Sequence, residues 1–175
     1  MKLTTLVQRF LLPSVLVTAY GLWRFGCQIS TRAEVDIGRF LSIGRGTQIS
    51  SFSKLKCDRG PLTIGARVSI ATGCFLSAHS AGIAIGDDTM IGPNTVIVAG
   101  NYRYERLDVP MHEQGESSKG IRIGKDVWLG GNVSVTDGAE IGDHTIVMAG
   151  SVVSGRLPER VIASGMPAKV VFQRR

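Results

Sequence analysis

The chain is poor in several things at once. Aromatic residues make up only 6% of its 175 residues, charged residues 19%, and there are three cysteines and three histidines. So few aromatics supply no row of stacking platforms for single-stranded nucleic acid, and the basic residues are dispersed along the sequence. Cys27, Cys57 and Cys74 are odd in number and show no CxxC spacing. Neither a disulfide framework nor a cysteine zinc site is expected, and a reduced cytoplasmic compartment is the default. Long apolar runs are missing as well. The stretch Phe10–Trp23 (FLLPSVLVTAYGLW) has 14 residues, against the roughly 20 that a spanning helix needs. Lys2 and Arg9 give it the basic start of a signal peptide, with Ala19 the one trace of a cleavage motif. A helix broken or kinked near Pro13 is the preferred reading. Its expected role is a cap on the domain that follows, or contact with the inner face of a membrane.

What the chain does have is glycine, 22 residues without a Gly-X-Y period, and 43% hydrophobic residues. That combination points to many turns around a slim, repeated core. A formal charge of +6 and a pI near 9.6 favour anionic partners: a nucleotide-like cofactor, nucleic acid or an acidic membrane surface.

The decisive pattern is a period of six. Ile37, Ile43 and Ile49 form one set of three, and Ile64, Ile70 and Leu76 the next. Then come Ile85, Ile91 and Ile97; Ile123, Leu129 and Val135; and Ile141, Val147 and Val153. Four residues after the aliphatic there is usually a small or β-branched residue: Thr47, Val68, Thr89, Thr95, Val127, Val133, Thr145 or Ser151. A period of six fits neither an amphipathic helix nor an alternating strand. Each hexad reads as a short strand plus a corner, so three hexads close a triangular coil. Stacked coils lie ~4.8 Å apart and hydrogen-bond as parallel strands. No coil buries its own aliphatics, so the coils depend on each other and the end coils need covering. The interruptions, near 55–63, 82–84 and 103–122, each follow a third hexad. They leave the prism at one corner, and repeat proteins commonly gather insertions on a binding face. The expected architecture is all-β: a parallel β-helix of about five triangular coils over residues 35–175, with a long loop inserted near 103–122. Residues 1–34 form the N-terminal helical cap or membrane-surface segment.

Three stretches give the repeat a family character. IGKDVWLGGNVSV (Ile123–Val135) resembles the I-G-x-x-V-W-I-G segment of the hexapeptide-repeat acyltransferases. IGDHTIVMAGSVVSGRLPERVIASGMPAKVV resembles their final coil and tail, and DVPMHEQGESSKGIRIG resembles the loop of the sugar and polysaccharide O-acetyltransferase branch. The resemblance covers roughly residues 35 to 172. It implies a left-handed coil, where general crossover rules favour the opposite hand. It further implies a homotrimer with its site in the groove between neighbouring prisms, and acetyl-CoA as the acyl donor with no metal. Carried over by position, it sets Trp128 and Gly131 beside the cofactor arm, Ala149 and Ser154 one coil further on, and Lys169 near the nucleotide end. A second basic residue often stands three places after that lysine; here it is Phe172, leaving Arg174 and Arg175 as the remaining cations for the phosphates.

Acyl transfer needs a base for the acceptor's proton, and histidine suits because it titrates near neutrality. Related sugar acetyltransferases supply it in a His-Asn-His motif before the long loop. The matching residues here are Gly100, Asn101 and Tyr102, and a tyrosine with an ordinary pKa near 10 is a poor base. His79 and Gly100 are each the fourth residue of their hexads on neighbouring coils, so a glycine at 100 leaves space for the His79 ring. The expectation is therefore that His79 supplies the base from one coil below, with Tyr102 and Asn101 orienting the acceptor. A purely structural histidine at this corner is the competing reading. His112 is expected to be an exposed loop residue and His144 a structural corner residue. The leading function is transfer of an acetyl group from acetyl-CoA to a hydroxyl of a sugar or polysaccharide precursor. The alternative is a catalytically altered β-helix acting as a binding or scaffold subunit. A three-histidine zinc carbonic anhydrase on the same fold ranks low because the histidines lack the ligand spacing.

Overall fold

The computed structural model describes residues 13–175. What precedes Pro13, including Lys2, Arg9 and the first residues of the apolar stretch, lies outside the described residues. Helix α1 (Ser14–Phe25) starts directly after Pro13. It stops at Gly26, whose φ of 64° takes the left-handed conformation that a glycine adopts without strain. The Gly26 N–H donates to the Leu22 carbonyl and the Cys27 N–H to that of Gly21, which satisfies the last turn. Val17 and Phe25 pack against the core. Gly21 lies so close to the first strand that an added Cβ would stand 2.6 Å from Ile29 Cδ1. No helix among the described residues is long and apolar enough to cross a membrane.

Six turns of triangular coil follow. The first is β1 (Gln28–Ile29), β2 (Glu34–Val35) and β3 (Leu41–Ile43); the second is β4 (Gln48–Ile49), β5 (Lys54–Lys56) and β6 (Leu62–Ile64). The third is β7 (Ser69–Ile70), β8 (Phe75–Ser77) and β9 (Ile83–Ile85). In the fourth, β10 (Met90–Ile91) and β11 (Val96–Val98) are separated from β14 (Ile121–Ile123) by an antiparallel hairpin, β12 (Asn101–Tyr102) with β13 (Glu116–Ser117). The fifth is β15 (Trp128–Leu129), β16 (Ser134–Thr136) and β17 (Glu140–Ile141); the sixth is β18 (Ile146–Val147), β19 (Val152–Val153) and β20 (Arg156–Leu157). β21 (Val161–Gly165) extends the first face, and β22 (Ala168–Gln173) folds back antiparallel along it.

Each side of the prism is one parallel sheet. Inward residues stack in rungs, for example Val35, Leu55, Leu76, Ile97, Val135 and Val153 on the second face. None of these six is more than 5% exposed, so the rungs merge into one continuous core. The residue four places after the aliphatic closes the corner. Thr47, Ser53, Thr89, Thr95 and Thr145 are buried, and each hydroxyl donates to a backbone carbonyl on the next turn. A buried hydroxyl costs stability unless bonded, so threonine here satisfies both itself and the bend. Cys74 fills the same niche, its thiol donating to the Gly92 carbonyl. All three cysteines are buried and free. Burial, followed by Asp36 and Asp58, pushes the Cys57 thiol up to about 12, which keeps it neutral.

The turn beyond the expected five is the first, built on Ile29 and Val35 at the N-terminal end. Ile37 is only half-buried, because it sits in the connection between β2 and β3. Third-face strands from β3 to β14 also turn two residues inward, as with Ile83 and Ile85 or Ile121 and Ile123. This gives the core Leu41, Leu62, Ile83 and Ile121 beyond the period of six.

Candidate active site

Every long connection joins the second face to the third. Residues 57–61, 78–82 and 99–120 stack in successive turns along this insertion edge. Arg59 comes from the first of them, His79 from the second and Glu116 from the third. Two glycines set the position of His79. A Cβ on Gly60 would stand 1.8 Å from the His79 carbonyl oxygen, and one on Gly100 would stand 2.4 Å from the ring Cγ and 2.5 Å from Nδ1. The ring is therefore slotted beneath the bare backbone of Gly100, with its side chain 17% exposed.

The long loop brings Glu116 to that ring. Its tip is gathered by Gln114, whose side-chain amide donates to the carbonyls of Arg106 and Val109 and accepts from the Arg106 N–H. The hairpin sets Tyr102 across from Glu116 and Asn101 across from Ser117. Ser118 Oγ donates to the Ala99 carbonyl at 2.6 Å, and Asp137 accepts the N–H groups of Lys119 and Gly120, which ties the returning strand to the prism. As a result Glu116 Oε2 lies 3.2 Å from His79 Nδ1, while Oε1 accepts from Arg59 Nη1.

The charge pattern of this chain has a direction. The hydrogen bond from Arg59 is the largest cause holding the Glu116 carboxyl below its ordinary value, with His79 adding to it. Ionised Glu116 can only accept, so Nδ1 carries the proton in that contact. A carboxyl depressed in the folded state contributes stability above its ordinary pKa and loses it as pH falls through the folded pKa. The carboxyl-carbon NMR signal of Glu116 is accordingly expected to titrate with a midpoint below the ordinary 4.5. In an Arg59→Gln variant the midpoint should move back up.

Known proteins share the repeat on which this geometry is built. The profile of the bacterial transferase hexapeptide, six repeats, matches residues 120–155. That stretch carries the hexapeptide repeat of this transferase family. A Mycobacterium tuberculosis protein named as an acetyltransferase is 30% identical over 166 residues, covering 95% of this chain and 55% of its own length. The Escherichia coli protein WbbJ, named for O-acetyl transfer in lipopolysaccharide biosynthesis, is 29% identical over 95% of this chain and 85% of its own. Among solved structures, a variant of AntD, an N-acyltransferase from Bacillus cereus in complex with dTDP and coenzyme A, superposes with a TM-score of 0.78. It is 23% identical, with 90% of this chain and 88% of that one covered. The fold is thus the left-handed parallel β-helix of the hexapeptide-repeat family.

The remaining family positions fall on a different edge. Trp128 is 49% exposed on the first face, between Met90 and Ile146 of adjacent turns. Gly131 stands where the first face meets the second, and its carbonyl accepts the Gly150 N–H. Ala149 is exposed in the turn above, directly over Gly130. Lys169 is exposed on β22 opposite Ser164. These four run in axial order along one edge. Ser154 does not join them: it is exposed between β19 and β20, on the insertion edge with His79. Arg174 is turned elsewhere, its guanidinium donating to the His144 carbonyl and lying 4.0 Å from Asp126.

Tyr102 is 55% exposed. The Asn101 amide donates to Asp137 Oδ2 at 3.5 Å, the outer limit of such a contact. His112 is exposed in a short 3-10 turn beside Glu113. His144 holds a corner with a φ of 59° and bonds Asp126 through Nδ1 at 2.9 Å. Sequence reasoning missed Glu116 and Arg59. Both lie in insertions, where the period of six assigns no register; the one available signal was an acidic residue just after the Gln114–Gly115 pair.

Proposed function

We propose that this protein transfers an acetyl group from acetyl-CoA to a hydroxyl of a sugar or polysaccharide precursor, with His79 as general base. The observation that carries the reading is the His79 ring under Gly100, its Nδ1 3.2 Å from a carboxylate that Arg59 holds below its ordinary pKa. His79 Nε2 accepts the acceptor's hydroxyl proton as its oxygen attacks the thioester carbonyl. When the carbon–sulfur bond breaks, the imidazolium gives that proton to the departing thiolate. Glu116 holds the ring in the required tautomer and steadies the transient imidazolium. Tyr102 and Asn101, on the hairpin that carries Glu116, orient the acceptor.

Donor binding falls to the other edge. Gly131 is not required by the backbone: it has no left-handed φ, and an added Cβ would come no closer than 3.4 Å to Pro93. Neighbouring Gly130 would meet Ala149 N at 2.5 Å. A glycine that the fold does not demand leaves room for extended pantetheine beside Trp128, with Lys169 toward the phosphates. Within one chain the two edges are separated by the whole second face. They form one site only between copies, which supports a homotrimer with grooves between prisms. WbbJ, similar over most of its length, supports the sugar hydroxyl as acceptor.

The test is thiol release from acetyl-CoA with a panel of sugars and amino sugars, alongside donor binding. Turnover on a hydroxyl acceptor is expected. Turnover only on amines would reassign the acceptor. Donor binding without turnover would favour the scaffold reading, which rests on Gly100 and Tyr102 replacing the motif histidines.

A further inference from the structure

The chain's net charge is not spread over it. Residues 1–60 hold nine Lys and Arg against three Asp and Glu, whereas residues 61–175 hold eleven of each. The whole formal +6 therefore belongs to the N-terminal third. The fold arranges much of that charge at one end of the prism. Arg32 lies in the corner between β1 and β2, Arg39 in that between β2 and β3, and Arg45 in that between β3 and β4, so each corner of the first turn carries one arginine. Arg24 adds a fourth on α1. All four are exposed, and among the described residues none of them forms an ion pair. Arg24, Arg32 and Arg39 instead lie over the rings of Phe25, Phe52 and Phe40.

The helix across this end is apolar on both sides. Val17, Gly21 and Phe25, spaced by four, face the prism. The opposite side carries Val15, Leu16, Ala19, Tyr20, Leu22 and Trp23, all exposed and none charged, with Trp23 82% exposed. A helix with apolar residues on both of its sides is normally covered on both, and contiguous apolar surface of this kind marks a binding face.

We propose that this end of the protein docks on an anionic lipid bilayer, with the outer face of α1 in the interface and the corner arginines on the headgroups. The charge decides between occupants. A second copy meeting this face through the same end would set two positive ends against each other. A phosphate backbone would satisfy the arginines but leave Val15, Leu16 and Leu22 in water. An acidic bilayer answers both: apolar residues enter the acyl boundary, and arginines reach phosphates over short apolar stems. Such docking holds the prism end-on at the surface, where a lipid-linked acceptor would be found.

The test is co-sedimentation of the full chain with vesicles of phosphatidylcholine alone and of equal parts phosphatidylcholine and phosphatidylglycerol. Binding is expected to the anionic vesicles only. It should fade as salt rises from about 0.1 M to about 1 M, where the screening length falls from ~10 Å to ~3 Å. Trp23→Glu places a charge on the apolar face and is expected to weaken binding at least about tenfold. Arg39→Gln and Arg45→Gln should each weaken it about five-fold. Thermal melts would establish that each variant is folded, and turnover on a soluble acceptor should stay at the wild-type level. No binding to anionic vesicles, salt-insensitive binding to both kinds, or wild-type binding by folded Trp23→Glu would each overturn the proposal. So would a change of assembly state in Trp23→Glu, or DNA retention in its place, without vesicle binding.

Discussion

Replacing His79 with alanine is expected to lower the rate of acetyl transfer by about 10²–10⁴-fold, the usual contribution of a positioned general base. The change should fall on kcat, because the positions proposed for donor binding lie on another edge of the prism. Stability should hardly move: the ring lies at a corner outside the core rungs and is covered mainly by Gly100 and the loop. A purely structural histidine predicts the reverse, a lower melting temperature with turnover intact. Measuring both in one variant therefore separates the roles. Glu116→Gln offers a graded companion, since an amide can accept at Nδ1 but cannot steady the imidazolium by charge.

Gly100→Ala is the more discriminating change. The backbone there tolerates a side chain, since Gly100 has no left-handed φ. Yet the new Cβ would stand 2.4 Å from His79 Cγ and 2.8 Å from Cδ2. The added methyl and the imidazole cannot both keep their places, and the ring is the part free to swing. A displacement of ~1 Å at a reacting group can cost about 10²-fold, and the 3.2 Å contact with Glu116 would go with it. The expected result is a kcat about 10²-fold lower, a donor KM unchanged and a fold intact. In the double variant the losses should not add: His79→Ala with Gly100→Ala should match His79→Ala alone, because both act through one ring.

The sequence carried the fold through its rungs. Ile49, Ile70, Ile91, Leu129 and Val147 stand one above another on the first face because a constant period repeats one geometry. The same regularity placed Gly100 over His79, since both are counted from rung residues that pair, Leu76 and Ile97. Legibility failed where the period breaks. Ile37 keeps the spacing but lies in a connection, while Val35, out of step with it, takes the core position. Glu116 reaches His79 through an antiparallel hairpin and a loop tip organised by Gln114, interactions that follow no repeat. Arg59 belongs to an insertion whose register is set only by contact with the turn above. The repeat thus located the edge, and the irregular segments supplied Glu116 and Arg59, the charged groups gathered at His79.

The claim that His79 and the donor positions form one site between copies can be tested by mixing two disabled chains. His79→Ala lacks the base. In Gly131→Trp the added Cβ meets only an ordinary contact, so the fold is expected to persist, as a thermal melt would check, while the indole obstructs the proposed donor edge. Each is expected to be inactive alone. Unfolded together and reassembled in equal amounts, they should regain activity at about a quarter of the sites, the share of interfaces in a symmetric assembly that pair an intact His79 with an intact Gly131 from the neighbouring copy. Mixed assemblies as inactive as the separate variants would contradict the account, because they would put both groups in a single chain's site or remove one of them from the site altogether.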